Sequence, residues 1–382
     1  MTKATGAGGA DPSMLRRLNA ELTLRTIREQ GEPTRTELRT LTGLARTTLD
    51  ESIKELNARG LIEQVEPLPS TAAGRPASRF RFRQGAGHVV GIGFDGARLV
   101  TALGDLRGTV LATDTQEVEL DDAAPDLVTR VRDAVEACLT TAGVPRSSLR
   151  ATSIGVPGVV STDGRITRSW AVPSWHDLDL RTEAESVLQC PVFVENHARL
   201  AALGEHWQGV AQPCQDVVFL LTGLRLGVGV IVGGKLLRGR NGAAGEFGTI
   251  RDLHWGKPED YMTELVELAG DKRPGHAAEQ VFDAAAHGDQ AASKFTTRFV
   301  RDLARGVRVI QHALDPEMIV LGGHLARSGD YLLNRLREEV NADVLFPATI
   351  ELTRLGDDAI TVGAIRRTLD YIDTLLLDQR WT

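Results

Sequence analysis

Hydrophobic residues near the start of the chain recur at the spacing of one face of a helix. Leu15, Leu18 and Leu22 lie three and four residues apart, which predicts a first amphipathic helix. Thr34 and Glu37 have the spacing of a capping box, in which the threonine oxygen and the glutamate satisfy backbone donors at a helix start. A second, short helix is therefore predicted to begin there.

A third helix is predicted to follow a tight turn at Gly43. Leu49, Ile53 and Leu56 form its buried stripe, and its opposite face is polar. Two helices joined by a glycine turn are typical of a helix-turn-helix. Ala45 is unfavourable where a Ser cap is expected, at a cost of about 1 kcal/mol. The side chains expected to contact bases or phosphates are Arg35, Arg46, Thr47, Thr48, Asp50 and Lys54.

Two strands and a basic loop are predicted after the third helix. Residues 61–65 and 79–83 read as strands, and the loop 67–76 is rich in turn-forming residues. Arg75, between a glycine and a proline, is a slim cationic tip suited to a DNA minor groove. Residues 13–84 are therefore predicted to form a winged helix that binds DNA. A winged helix used for protein contacts and a three-helix structural module remain as alternatives.

Beyond residue 85, strand and helix patterns alternate to the end of the chain. Such alternation predicts an α/β body. A turn at Pro157 and Gly158 follows one of the strands. The predicted strands are 88–94, 98–103, 152–156, 190–194, 217–221, 226–232 and 318–321, and the predicted helices are 126–142, 198–207, 281–312 and a C-terminal helix over 366–382.

The composition is that of a folded protein of two or three domains. Of the 382 residues, 42% are hydrophobic and 25% are charged, which excludes a disordered or fibrous chain. Three scattered cysteines without a CxxC pair argue against a disulfide framework and a cysteine zinc site. No apolar window has membrane-spanning length, and the N-terminus lacks a signal-peptide pattern. We therefore expect a cytoplasmic protein without membrane association.

Charge is distributed unevenly along the chain. The overall net charge is −7, but residues 1–83 hold 14 basic and 10 acidic residues and are net +4, which leaves −11 for the remainder. A basic N-terminal piece on an acidic body is typical of a nucleic-acid module joined to another domain. The asymmetry is small, so it supports the winged helix without establishing it.

Five short motifs of the body occur in the order found in one protein family. They are I-G-V-P-G at 154–158, V-E-N at 194–196, A-A-L-G-E at 201–205, G-A-A-G-E-F-G at 242–248 and I-V-L-G-G at 319–323. The N-terminal part adds T-G-L at 42–44, G-L-I-E at 60–63 and G-R-P at 74–76. The chain resembles the ROK family, whose members are bacterial sugar kinases and sugar-responsive repressors.

The resemblance implies a two-lobed, actin-like and hexokinase-like body of the ribonuclease H-like class, preceded by the winged helix. Residues 1–12 would form a disordered tail. The first lobe would span 85–197 and include the C-terminal helix, and the second lobe would span 198–365. The N-terminal motifs resemble the repressor branch of the family.

Departures from the family motifs concern the chemistry of phosphate transfer. A family kinase needs a D-x-G-G-T hairpin for the phosphates, and residues 93–97 here read G-F-D-G-A. The second phosphate loop, normally G-T-G-x-G, reads G-L-R-L-G at 223–227. The family's E-N-D supplies an aspartate that takes the proton from the sugar hydroxyl, and His197 stands in its place. We therefore expect no enzymatic activity and no ATP, although a histidine base is chemically possible.

The structural zinc site of the family is also expected to be absent. Thr249 stands where the family has a histidine ligand, and residues 252–257 contain no cysteine. His254 alone cannot supply the four ligands of a tetrahedral site. No metal and no other cofactor is therefore expected.

Part of the family's sugar pocket is retained. Asn196 and Glu246 occupy positions that bind sugar hydroxyls in the family, whereas His197 and Thr249 replace two others. Trp170 and Trp175 could stack on a sugar face or pack in the core. Another small metabolite, or no natural ligand, remains as an alternative occupant. The expected ligand-binding residues are Pro157, Gly158, Trp175, Asn196, His197, Glu246 and Thr249.

These observations lead to a functional hypothesis. The chain is expected to be a transcriptional repressor that binds a double-stranded DNA operator as a homodimer or a dimer of dimers. A small-molecule effector, a sugar or a sugar derivative, would bind between the lobes and change operator affinity. The alternatives are a sugar kinase with an appended DNA-binding module and a ligand-independent structural or corepressor module.

Overall fold

The computed structural model describes residues 12–65, 78–95, 98–118, 124–222, 226–253, 255, 258–376 and 381. The chain divides into two compact units. One contains residues 1–88, 105–107 and 370–382, and the other contains residues 89–104 and 108–369. The predicted wing loop with Arg75 and residues 1–11 of the predicted tail over 1–12 lie outside the described residues, and Pro12 begins a helix. Residues 96–97 and 223–225, from the two stretches that depart from the family's phosphate loops, also lie outside them.

The N-terminal unit has the elements of a winged helix. Its helices are α1 (Pro12–Gln30), α2 (Arg35–Thr42) and α3 (Arg46–Ala58), and its antiparallel strands are β1 (Ile62–Val65) and β2 (Arg79–Phe82). The predicted capping box is present, since Glu37 N donates to Thr34 Oγ1 at 3.2 Å and Thr34 N donates to Glu37 Oε2 at 2.7 Å. Gly43 ends α2 in a left-handed conformation, and Ala45 provides no side-chain cap for α3, as predicted.

The first sheet of the body has five strands in the order β5-β4-β3-β6-β9. Its strands β6 and β9 run parallel, so the C-terminal ends of both strands lie at the same edge of the sheet. Helices α4 and α5 contribute to the same apolar core. The bounds are β3 His88–Asp95, β4 Arg98–Asp105, β5 Val110–Glu117, α4 Ala124–Ala142, β6 Leu149–Val156, β7 Val159–Val160, β8 Ile166–Arg168, α5 Leu180–Leu188 and β9 Val192–Asn196.

The second sheet repeats this plan with the order β12-β11-β10-β13-β14. A core rich in Leu, Val and Phe packs its strands against long helices. The bounds are α6 His197–Gln208, β10 Val217–Thr222, β11 Leu226–Val232, β12 Lys235–Leu236, α7 Pro258–Ala269, α8 Pro274–Ala286, α9 Gln290–Leu314, β13 Met318–Gly323, α10 Gly329–Asn341, β14 Thr349–Leu352 and α11 Ala359–Leu375.

Two predicted helices differ in extent from those observed. The helix expected over 281–312 is two helices, because Gly288 adopts φ +92° and Asp289 caps a new helix start by accepting from Ala292 N at 2.8 Å. The C-terminal helix expected over 366–382 instead spans Ala359–Leu375. Its last turns belong to the same compact unit as the winged helix.

Close crossing of α6 and α11 depends on two glycines. A Cβ at Gly363 would lie 1.7 Å from Leu200 O, and a Cβ at Gly204 would lie 2.4 Å from Ala359 O. Only hydrogen atoms fit at these two positions. The crossing packs the middle of α6, at Leu200 and Gly204, against the start of α11.

Candidate functional site

The junction of β9 and α6 orients Asn196. Its side-chain oxygen accepts from Ala198 N at 2.9 Å and from Arg199 N at 3.2 Å, so it caps α6. Its amide nitrogen donates to Gly158 O at 2.9 Å. The side chain is buried, and these contacts tie the predicted Pro157–Gly158 turn to the start of the helix. Asn196 thus holds the turn in addition to any bond with a ligand.

His197 lies between the two sheets of the body. Its Nδ1 is 3.3 Å from Phe94 O, at the end of β3 in the first sheet. A Cβ at Gly227 in β11 of the second sheet would lie 3.7 Å from His197 Nε2. The imidazole therefore approaches both sheets, with Nδ1 within hydrogen-bond distance of a backbone carbonyl.

Glu246 follows the glycine-rich loop after β12. The next residues form a short turn of 3-10 helix over Phe247–Thr249, in which the Thr249 hydroxyl donates to Glu246 O at 2.8 Å. Burial raises the pKa of the Glu246 carboxyl, and the positive charge of Arg199 opposes that rise. A desolvated carboxylate of this kind is a strong acceptor for ligand hydroxyl groups.

A buried ionic network lies beneath the site. Arg199 Nη1 donates to Glu195 Oε1 at 3.0 Å, and Arg238 Nε donates to Glu195 Oε2 at 2.5 Å. The sequence analysis did not identify Arg199 or Arg238. The spacing of Glu195 and Arg199, four residues apart across a helix start, is a signal that could have indicated the pair.

The two tryptophans have different surroundings. Trp175 is 1% exposed and packs edge-on against Phe94, with ring centroids 4.9 Å apart. Its faces are occupied by the core, which was the alternative to sugar stacking. Trp170 is half-exposed, with the Arg168 guanidinium 5.8 Å from its ring centroid.

Asp357 joins elements from both sheets of the body. Its Oδ2 accepts from Arg98 Nη2 at 3.2 Å and from Arg327 Nη2 at 2.5 Å. Burial favours the neutral acid, but the two guanidinium groups outweigh it and lower the pKa of Asp357. Arg98 begins β4, and Arg327 lies after β13. The cluster therefore links the start of β4 in the first sheet to the segment that follows β13 in the second sheet.

The candidate DNA-reading face is on α3. Arg46 is 81% exposed, and Thr47 and Lys54 are also exposed, whereas Thr48 is half-buried. The Asp50 carboxylate accepts from Arg35 Nη1 at 2.6 Å, and Arg46 Nε lies 3.9 Å from it. These arginines offset the negative charge that Asp50 would present to phosphates.

The described residues contain no cluster of three or more His, Cys, Asp or Glu side chains that could hold a metal ion. Among these same residues, none of the helices combines the length and the continuous apolar sequence that crossing a bilayer requires.

Comparison with known proteins decides the family. The ROK family matches residues 89–256 and 262–367, which is most of the body. The chain belongs to the ROK family. This membership confirms the resemblance that the sequence motifs indicated.

Repressors and kinases of the ROK family match different shares of the chain. A xylose repressor from Caldicellulosiruptor bescii is 24% identical over 382 residues, covering 92% of this chain and 96% of that protein. A glucokinase from Thermotoga maritima is 28% identical over 309 residues, covering 72% of this chain and 95% of that protein. The repressor match therefore extends over a region that the kinase match leaves out.

A solved structure confirms the fold class. The crystal structure of a ROK family transcriptional regulator, a homologue of the Escherichia coli MLC protein, superposes with a TM-score of 0.74. It covers 95% of this chain and 98% of that chain at 22% identity. The two-sheet α/β body with an N-terminal winged helix is thus the expected architecture.

Proposed function

We propose that the chain is a sequence-specific, DNA-binding transcriptional repressor controlled by a sugar-class effector. The observation that carries this proposal is a winged helix that exposes Arg46, Thr47 and Lys54 on α3 and precedes a body of the ROK family. His197 at the expected position of the family's proton-accepting aspartate supports it. The match to a xylose repressor over 92% of the chain supports it.

DNA binding would use α3 in the major groove. Arg46 and Lys54 would contact phosphates, and Thr47 would approach base edges. Arg75 in the wing loop would contact the minor groove. Two copies related by a two-fold axis would bind inverted half-sites, so we propose a homodimer or a dimer of dimers.

The effector would bind beside Asn196 and Glu246, with His197 at the same site. Glu246 would accept from a ligand hydroxyl, which compensates the carboxylate for the water it has lost. Bonds made in only one arrangement of the two sheets shift the protein toward that arrangement. A change of about 100-fold in operator affinity corresponds to about 2.7 kcal/mol of differential binding, which a few hydrogen bonds can supply.

We further propose that the protein works without zinc and without ATP. Thr249 supports this proposal, because at the expected position of the family's histidine ligand it carries a hydroxyl that donates to Glu246 O at 2.8 Å. Residues 252–257 contain no cysteine that could replace it.

The second candidate is a sugar kinase with an appended DNA-binding module. The match to a glucokinase favours it, and His197 is a possible base. A coupled assay for ADP formation over a panel of sugars distinguishes the two. Turnover that depends on a sugar, and that is lost in His197→Ala, would overturn the repressor-only proposal.

Two measurements test the main proposal. Binding of the purified protein to promoter fragments from its own genomic neighbourhood is measured by fluorescence anisotropy, with and without each sugar or phosphosugar. A thermal-shift screen with the same compounds reports binding independently of DNA. We expect saturable operator binding that one compound class weakens. Failure of the protein to bind any fragment would remove the proposed function.

A further inference from the structure

Arg199 is a buried cation that contacts a loop far along the chain. The side chain is 1% exposed. Besides its pair with Glu195, its Nη2 donates to Gly242 O at 2.5 Å and to Ala244 O at 3.1 Å. The guanidinium thus joins the first turn of α6 to the loop over residues 239–245, which leads directly into Glu246.

The loop has little freedom to take another path. Gly242 and Gly245 adopt φ +70° and +90°, a region that other residues rarely enter. A Cβ at Gly242 would lie 1.8 Å from Val160 O, and one at Gly245 would lie 2.5 Å from Val228 O. The carbonyls of Gly242 and Ala244 accept from Arg199, so the guanidinium is a side-chain group that holds the loop alongside the loop's own backbone hydrogen bonds.

Because Arg199 is buried, loss of its hydrogen-bond and ionic partners would cost more free energy than the same loss at the surface. A buried charge is tolerated only when it is paired and its hydrogen bonds are satisfied. Glu195 provides the pairing, and its second oxygen is occupied by Arg238, which is half-exposed. The loop carbonyls satisfy Arg199 Nη2, whereas Nε is buried without a hydrogen-bond partner among the described residues, so the remaining bonds carry the whole compensation for burying the charge. Removing these bonds would free the loop without removing any residue of the loop itself.

We propose that Arg199 is a positioning residue of the effector site, whose guanidinium holds the loop over residues 239–245 and thereby places Glu246 for a ligand hydroxyl. This inference rests on the proposed function for the class of its ligand, but the contacts of Arg199 with the loop do not depend on DNA binding.

The charge of Arg199 has a second effect at the site. Burial raises the pKa of the Glu246 carboxyl, and Arg199 is the charged group that opposes this rise. Glu195 faces Arg199 from β9, Arg238 pairs with the other oxygen of Glu195, and His197 lies at the same helix start. Loss of the Arg199 charge would therefore leave Glu246 protonated up to a higher pH.

The first test measures hydrogen–deuterium exchange in the absence of effector. The full-length variants are Arg199→Gln, Arg199→Lys and Arg238→Gln, with Arg132→Gln as a surface control. Arg132 is exposed and pairs with its neighbour Asp133. We expect exchange in peptides covering 239–248 to rise about tenfold or more in Arg199→Gln, because charge-assisted bonds are lost. Arg132→Gln should exchange like the wild type.

The second test measures effector affinity between pH 5 and 8, using the compound found in the thermal-shift screen. Arg199→Gln should weaken binding about tenfold. It should also move the acid limb, the pH range in which affinity falls as Glu246 is protonated, to higher pH. Arg199→Lys should retain the wild-type acid limb, because its charge remains, and Arg238→Gln should leave the limb in place. A purely structural role would weaken binding without moving the limb.

These outcomes separate the two proposals. If no compound binds the wild type, the effector proposal fails, while loop exchange still decides whether Arg199 positions the loop. Wild-type exchange at 239–248 in a folded Arg199→Gln protein overturns the inference. If Arg199→Gln does not fold, the decision passes to Arg199→Lys, whose ammonium cannot span the same carbonyls. Wild-type loop exchange in that variant likewise overturns it.

Discussion

Arg28 and Asp373 form an ion pair of 2.6 Å although 345 residues separate them in the sequence. Arg28 lies near the end of α1, and Asp373 lies in the last turn of α11. The same guanidinium donates to Leu106 O at 3.3 Å and lies 5.1 Å from the Phe82 ring centroid. One side chain therefore holds together pieces of the N-terminal unit that come from both ends of the chain and from its middle.

We predict that Arg28→Ala destabilises the protein more than Asp373→Asn does. The ion pair is partly exposed and contributes about 0.5–1 kcal/mol, whereas Arg28 also loses its carbonyl and ring contacts. Urea denaturation of both single variants and the double variant measures the coupling. Equal losses in the two single variants would mean that the other contacts of Arg28 contribute nothing.

Glu246→Gln is predicted to stabilise the ligand-free protein at neutral pH while weakening its response to effector. The pKa of Glu246 is raised in the folded state, so stability falls as pH rises from the ordinary value through the raised one. The amide has no charge to desolvate, and the gain at pH 7 should be on the order of 1 kcal/mol. Thermal unfolding at pH 7 and at about pH 4 checks this, since the difference should vanish where the acid is neutral. A less stable variant at pH 7 would contradict the prediction.

Asp357→Asn should destabilise the body in a way that depends on pH. The pKa of Asp357 is lowered in the folded state, so its stabilisation is present above the unfolded pKa and is lost as pH falls through the folded pKa. We expect a cost of about 0.5–1 kcal/mol at neutral pH, in the range of partly exposed pairs. The gap between variant and wild type should close below about pH 4. A gap that stays constant down to pH 3 would exclude the ionic explanation.

Variants of the reading face should separate phosphate contacts from base contacts. We expect weaker operator binding in each of the variants Arg46→Ala, Lys54→Ala and Arg75→Ala. The slope of the logarithm of the binding constant against the logarithm of salt concentration should fall in size by about one in each. Thr47→Ala should leave the slope unchanged and reduce discrimination between operator and random DNA. Anisotropy titrations at several salt concentrations measure both quantities. Unchanged binding in Arg75→Ala would remove the wing from the DNA interface.

Much of the fold could be predicted from local patterns. The capping box at Thr34 and the left-handed Gly43 depend on residues close in sequence, so their spacing was sufficient to place α2. The motif order was sufficient to identify the ROK body. The break at Gly288 was missed because apolar periodicity continues on both sides of it, and only backbone geometry distinguishes two helices from one.

The candidate site divides in the same way. The sequence by itself pointed to Asn196, His197 and Glu246 as expected ligand residues, because these residues stand at family motif positions. Only the tertiary structure decided that Trp175 is in the core, that Asn196 also holds the turn at Gly158, and that Arg199 is buried beneath the loop before Glu246. The physical reason is that backbone hydrogen bonding is set by near neighbours, whereas the burial and pairing of a side chain depend on which distant segments the folded chain brings against it.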